Sequence, residues 1–165
     1  MPYVGDRLTP LFDGEPTERA AKRLAEKGPE EMQSWIERNT PVDMGTLRAS
    51  WYTTEPVEGT GLTAERTFTA YVRTDVEYAP HVEWGTGIFG PQGSPYTIRP
   101  RQPGGTLSWI DKDTGERVFA KSVQHPGSPG QHMVSIGAAM TEHTFPAAAQ
   151  PILQVWKRET EALAG

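Results

Sequence analysis

The chain has 165 residues, 16 Lys and Arg against 21 Asp and Glu, no cysteine, and a formal charge of −5. At roughly 100–200 residues per domain this length points to one domain, residues 1–165, and a domain of about 150 residues buries about 68–70% of its unfolded surface. Lacking cysteine, the chain has no disulfide scaffold, no thiolate zinc site and no cysteine nucleophile, and its acidity argues against a main affinity for the phosphate backbone.

Hydrophobic residues make up 36% of the chain, with five each of Trp, Tyr and Phe, so the composition is not that of a disordered chain. No apolar run approaches the roughly 18–20 residues that span a bilayer, which predicts no membrane segment. The N-terminal MPYVGDRL has neither a basic n-region nor an apolar h-region, so no secretory leader is expected.

Residues 1–15 carry Pro2, Gly5, Asp6, Pro10, Asp13 and Gly14 without any period and read as an extended arm. Thr17 is placed as an N-cap, with Ala20, Ala21, Leu24 and Ala25 on one stripe and Met32, Trp35 and Ile36 continuing it. Gly28-Pro29 interrupts that stripe, and the spacing predicts a helix over 17–39 kinked near Gly28. Pro41 to Thr46 is a turn, after which 47–54 reads as a strand or a short helical turn leading into one. The clearest alternation runs from 62 to 72, with Leu62, Ala64, Phe68, Ala70 and Val72 on one side.

Glu77 to Trp84 reads as a helical turn closed by Gly85, with Tyr78 and Val82 four apart. Gly85 to Ile110 holds six Gly, four Pro and no acidic residue. Within it, 86–106 is expected to be a long loop with a functional or interaction role. Leu107–Ile110 and Arg117–Val123 flank an Asp-Thr-Gly turn and predict a hairpin. His125-Pro-Gly punctuates the chain again. Two helices are then expected, a short one over 131–140 and a last one capped by Thr144 with Ile152, Leu153, Trp156 and Leu163 as its stripe. The sum is an α+β fold: an N-terminal helix, an antiparallel β-sheet of about four strands with a hairpin, helices packed on one face and a C-terminal helix.

Chemistry-bearing residues are sparse. His81, His125, His132 and His143 include no pair at the i, i+4 spacing of a zinc helix, so no metal and no cofactor is expected. The enzyme alternative is a small metal-dependent hydrolase using His125 or His132 with Asp43 or Glu83. Ser50, Ser94 and Ser128 lack the Gly-x-Ser-x-Gly elbow. Gly85-Thr-Gly87 and Gly90-Pro-Gln-Gly93 match neither the phosphate loop nor the dinucleotide fingerprint. Arg99 and Arg101, in an acid-free loop, suggest the other alternative, a nucleic-acid-binding module.

One ordered set of motifs stands out. Thr40-Pro-Val-Asp-Met-Gly-Thr-Leu-Arg-Ala-Ser-Trp51 is followed by Glu77-Tyr-Ala-Pro-His-Val-Glu-Trp-Gly-Thr86, then by His125-Pro-Gly127 and a helical C-terminus. Over about residues 17–163 this order resembles the neck or tail-completion proteins of tailed bacteriophages, the minor head–tail joining family. That family's usual pattern is a TPVDTG-x-L turn, a Y-A-x-x-V-E-x-G-T segment and an HPG turn before an aromatic-containing helix. Met44 stands where the family usually has Thr, His132-Met133 replaces the common Pro-Phe, and the 85–110 loop is expanded.

The resemblance implies a non-enzymatic virion protein of a phage or prophage, assembled in the host cytoplasm and resident at the head–tail junction. Its partners would be its own copies in a ring, a hexamer by expectation. Other neck proteins, the connector or adaptor, and the tail terminator or tail tube would adjoin it. Genome DNA would pass through the lumen without sequence-specific binding, and no membrane is involved. Acidic side chains lining that lumen would repel DNA. Structural and interface roles are expected for Asp43, Gly45 and Arg48, for Tyr78, Glu83, Trp84, Gly85 and Thr86, and for His125, Pro126 and Gly127.

Overall fold

A computed structural model describes residues 15–42, 45–60 and 66–164. The chain is α+β: the described residues hold a long helix before and a long helix after eight short strands. It divides into two compact units, one formed by residues 1–77 with 133–165 and the other by 78–132.

In the first unit, α1 (Glu15–Asn39) and α4 (Met133–Ala164) form the principal pair. Their contacts run antiparallel: Trp156 Nε1 donates to Thr17 Oγ1 at 3.1 Å, and Trp35 Nε1 donates to Thr144 Oγ1 at 3.3 Å. Along this pair the apolar stripe of α1 is buried at Ala20, Ala21, Leu24, Met32 and Ile36, and α4 contributes Met133 and Ala149. Gly137 marks the tightest approach. A Cβ there would stand 2.5 Å from Ile36 Cγ1, so the absent side chain is what lets the helices close at that level.

Two expectations for these helices are corrected, the Thr17 cap and the division of the C-terminal helix. Thr17 lies inside α1, buried, with its hydroxyl taken by Trp156. Helix α1 runs through Gly28-Pro29 as one element, as the expected single helix over 17–39 requires. The two C-terminal helices are one, because Thr144 is not a cap: its hydroxyl donates to the Met140 carbonyl at 3.0 Å. Pro146 and Pro151 also sit within α4. Packing along α1 outweighs the local cost of the prolines, each of which removes one helical hydrogen bond.

Helix α2 (Thr46–Ala49) follows, then β1 (Tyr52–Thr53), β2 (Val57–Thr60), β3 (Arg66–Thr69) and β4 (Val72–Arg73). Strand β1 pairs with β4 and β2 with β3, both antiparallel. Thr53 opposes Val72 while Val57 opposes Thr69. The first strand therefore has one more residue between these pairs than the second, which is the count of a β-bulge, here at Glu55-Pro56 where proline offers no ladder N–H. The strand expected over 62–72 is divided into β3 and β4 at Ala70-Tyr71, with Ala70 buried; Leu62 and Ala64 lie outside the described residues. Strands β1, β3 and β4 lie against α1.

The second unit contains α3 (Ala79–Trp84), a 3₁₀ turn (Gly87–Phe89) and strands β5 (Tyr96–Ile98), β6 (Leu107–Ile110), β7 (Arg117–Ala120) and β8 (Val123–His125). Pairs β5–β8 and β6–β7 are antiparallel, one nested within the other. Among the described residues the eight strands thus pair as four two-stranded ladders. Among the described residues, no helix is long and apolar enough to cross a membrane.

Candidate functional site

Two of the three sequence motifs meet in the second unit. Gly85 closes α3 at φ 79°, its N–H bonded to the His81 carbonyl at 3.0 Å. The chain then runs against residues 126–130. Thr86 N–H donates to Ser128 O at 2.9 Å, Ser128 N–H to Thr86 Oγ1 at 3.0 Å, and Ile88 N–H to Pro126 O at 2.7 Å. On the far side Gln131 N–H reaches Val82 O at 2.8 Å and His132 N–H reaches Glu83 O at 3.1 Å. The Glu-Trp-Gly-Thr and His-Pro-Gly segments therefore form one backbone clasp.

Glycine is required at the centre of this clasp. Gly87 and Gly127 have φ of 62° and 106°, and a Cβ on either would overlap the backbone carbonyl of Pro126 or Thr86. Gly85 and Gly130 are equally close-packed: added Cβ atoms would lie 2.6 Å from Ser128 O and 2.5 Å from Glu83 O. Backbone of the facing segment occupies the space a side chain would need at each of these four glycines.

The other named residues are placed as follows. His125 Nδ1 accepts the Gly127 N–H at 3.0 Å, and its ring lies 5.4 Å from that of Tyr96, its partner across β5 and β8. Glu83 is buried at 4% exposure, Tyr78 precedes α3, and half-exposed Trp84 meets the His132 ring edge-on at 6.1 Å. Gly45 takes φ 72° before α2. Arg48 Nε donates to Glu37 O at 2.7 Å and Nη2 to Arg38 O at 3.2 Å, so its guanidinium caps the last carbonyls of α1. Asp43 lies outside the described residues.

For the hydrolase alternative, no group of three His, Asp or Glu side chains among the described residues is arranged to hold a metal ion. Arg99 and Arg101 are exposed on the excursion between β5 and β6. The 86–106 stretch is less of a loop than its glycine and proline content predicts, since β5 and the 3₁₀ turn lie within it.

Sequence reading missed the most conspicuous surface of this unit. Ala79 is its one buried apolar side chain among the described residues, while Trp84, Ile88, Phe89, Tyr96, Ile110 and Phe119 are all exposed. Strands β6 and β7 explain part of this. Ser108 opposes Phe119 and Ile110 opposes Arg117, and directly opposed residues share a face. One face of the hairpin therefore carries Ile110, Arg117 and Phe119, with Phe119 65% exposed. The turn at its tip is rigid: Asp111 accepts the backbone N–H groups of Thr114 and Asp113 and the Thr114 hydroxyl. These bonds hold its carboxyl below the ordinary aspartate range.

A second feature belongs to the first unit. Leu24, Met32, Phe68, Val72 and Phe145 line an apolar groove of about 120 Å³ between α1, the β3–β4 segment and α4. It sits at Gly28-Pro29, where α1 lacks side-chain bulk. Glu142 is the single charged side chain in its lining. Comparison of the chain with models of known families, with curated proteins and with solved structures finds no match.

Proposed function

We propose that the chain is a structural, non-catalytic virion protein of a tailed bacteriophage or prophage, working at the head–tail junction as a self-assembled ring, sixfold by expectation. Beside the motif resemblance, the observation that carries this reading is the second unit's inverted economy. Its hairpin exposes aromatic side chains and encloses almost no core. A two-stranded hairpin is marginal alone in water, and exposed apolar surface of this kind marks a protein interface. The motif glycines fit the same role, because they fix the base of the hairpin.

In this reading the neighbours are further copies, other neck proteins, the connector or adaptor and the tail terminator or tube, with genome DNA passing through the lumen. The chain's charge of −5 suits a channel that must not hold DNA. Deleting the gene from a phage that carries it and imaging the lysate by electron microscopy tests the proposal. Filled heads beside unattached or abnormally ended tails are expected. Normal infectious particles would remove it.

A further inference from the structure

We propose that the tip of the β6–β7 hairpin of one copy seats in the α1–α4 groove of a second copy, with Phe119 entering the groove and Arg117 meeting Glu142 at its mouth. The contact rests on the self-assembly reading and names the surfaces that join.

Three observations match the two parts. The groove is of a size to take one aromatic ring: a cavity of about 150 Å³ lined by apolar side chains binds benzene, and this one measures about 120 Å³. Phe119 is the most exposed aromatic side chain among the described residues, and Ile110 beside it is 53% exposed, so an apolar plug is presented without any rearrangement. The charges are complementary. Arg117 and Glu142 are both exposed, and neither forms an ion pair among the described residues. The cation shares the hairpin face with Phe119, and the carboxylate lies in the lining of the groove. Because tip and groove are different surfaces, the contact is head-to-tail, the type that closes into rings.

The test is self-association of the full chain, followed by sedimentation velocity over a concentration series. Phe119→Asp places a charge in an apolar site and is expected to weaken association about thirtyfold, the effect of losing a central aromatic anchor. Arg117→Glu and Glu142→Arg are each expected to weaken it about fivefold, as exposed charge pairs do. Mixing these two variants restores it, because an alternating ring then has an opposite-charge pair at every joint. All three positions are exposed, so circular dichroism should report an intact fold.

Phe119→Asp that associates like the parent chain, charge variants that do not rescue one another, or a parent chain monomeric at hundreds of micromolar would each overturn the contact. The neck reading is decided separately by the micrographs, so a ring that ignores these substitutions loses this contact and keeps its place in the virion.

Discussion

At the scale of single residues, the clasp turns on glycines that no other residue can replace. Gly127 combines φ 106° with a position where a Cβ would overlap the Thr86 carbonyl. The substitution Gly127→Ala therefore meets both backbone strain and a backbone clash, and neither can be relieved by a side-chain rotation. The N–H bonds of Thr86 and Ile88 to Ser128 and Pro126 should open. We expect their amide exchange to accelerate by about a hundredfold or more, while amides of α1 keep their protection, as befits a locally cooperative opening. Heteronuclear exchange measurements would show it, and unchanged protection at Thr86 would refute the clasp as the fixing element. His125 acts at the same scale, its Nδ1 shaping the turn that carries Gly127. Sequence reading leads one to expect structural or interface roles for Gly85, Thr86, His125, Pro126 and Gly127. It could not see that the two segments grip each other, because a backbone-to-backbone contact across some 40 residues leaves no periodic trace in the sequence.

At the scale of elements, the helix pair α1–α4 is the framework of the first unit, and Gly137 sets its spacing. Valine there gains helix propensity over glycine, by less than about 1 kcal/mol. It also forces branched carbon into Ile36, which is wholly buried, and against the backbone of Met32 and Ile36. Overpacking of this sort costs about 1–3 kcal/mol, so the clash wins. Gly137→Val should lower the melting temperature by about 4–8 °C, corresponding to about 2 kcal/mol in a chain of this size; calorimetry that found no loss would contradict the close approach. Much of this layer was legible. The stripe of α1, the turn closed by Gly85 and the hairpin around the Asp-Thr-Gly turn follow from period and turn chemistry. The unity of α4 did not, since Thr144 and Pro146 are local break signals overridden by contacts with Trp35 and the rest of α1. The bulge at Glu55-Pro56 was equally hidden, because register is a property of two strands and neither alone records it.

At the scale of the whole molecule, the two units differ in charge and in how they are held together. Residues 78–132 carry five basic and four acidic side chains, and the remainder 11 and 17, so the acidity of the chain belongs to the helical unit. That unit has a core of buried aliphatic side chains, whereas the hairpin unit depends on ladders, turns and the clasp. Stability is therefore expected to be uneven, and a protease samples that unevenness directly, because cleavage needs a locally opened backbone. Trypsin has sites in the hairpin unit at Arg101, Lys112, Arg117 and Lys121, and on α1 at Arg19, Lys22, Arg23 and Lys27. In the free chain, cuts at the hairpin sites should precede cuts at the α1 sites by about tenfold or more in time, since opening the helix pair exposes its core and opening a two-stranded hairpin exposes little. Mass spectrometry of a timed digest resolves the order. Assembly should then slow cleavage at Arg117 and leave Arg101 susceptible, because the proposed contact covers the tip face and not the excursion between β5 and β6. Early cleavage in α1 would mean that the helix pair is not the stable body. Equal protection of Arg101 and Arg117 on assembly would mean that the whole arm, rather than its tip, is the surface that joins the copies.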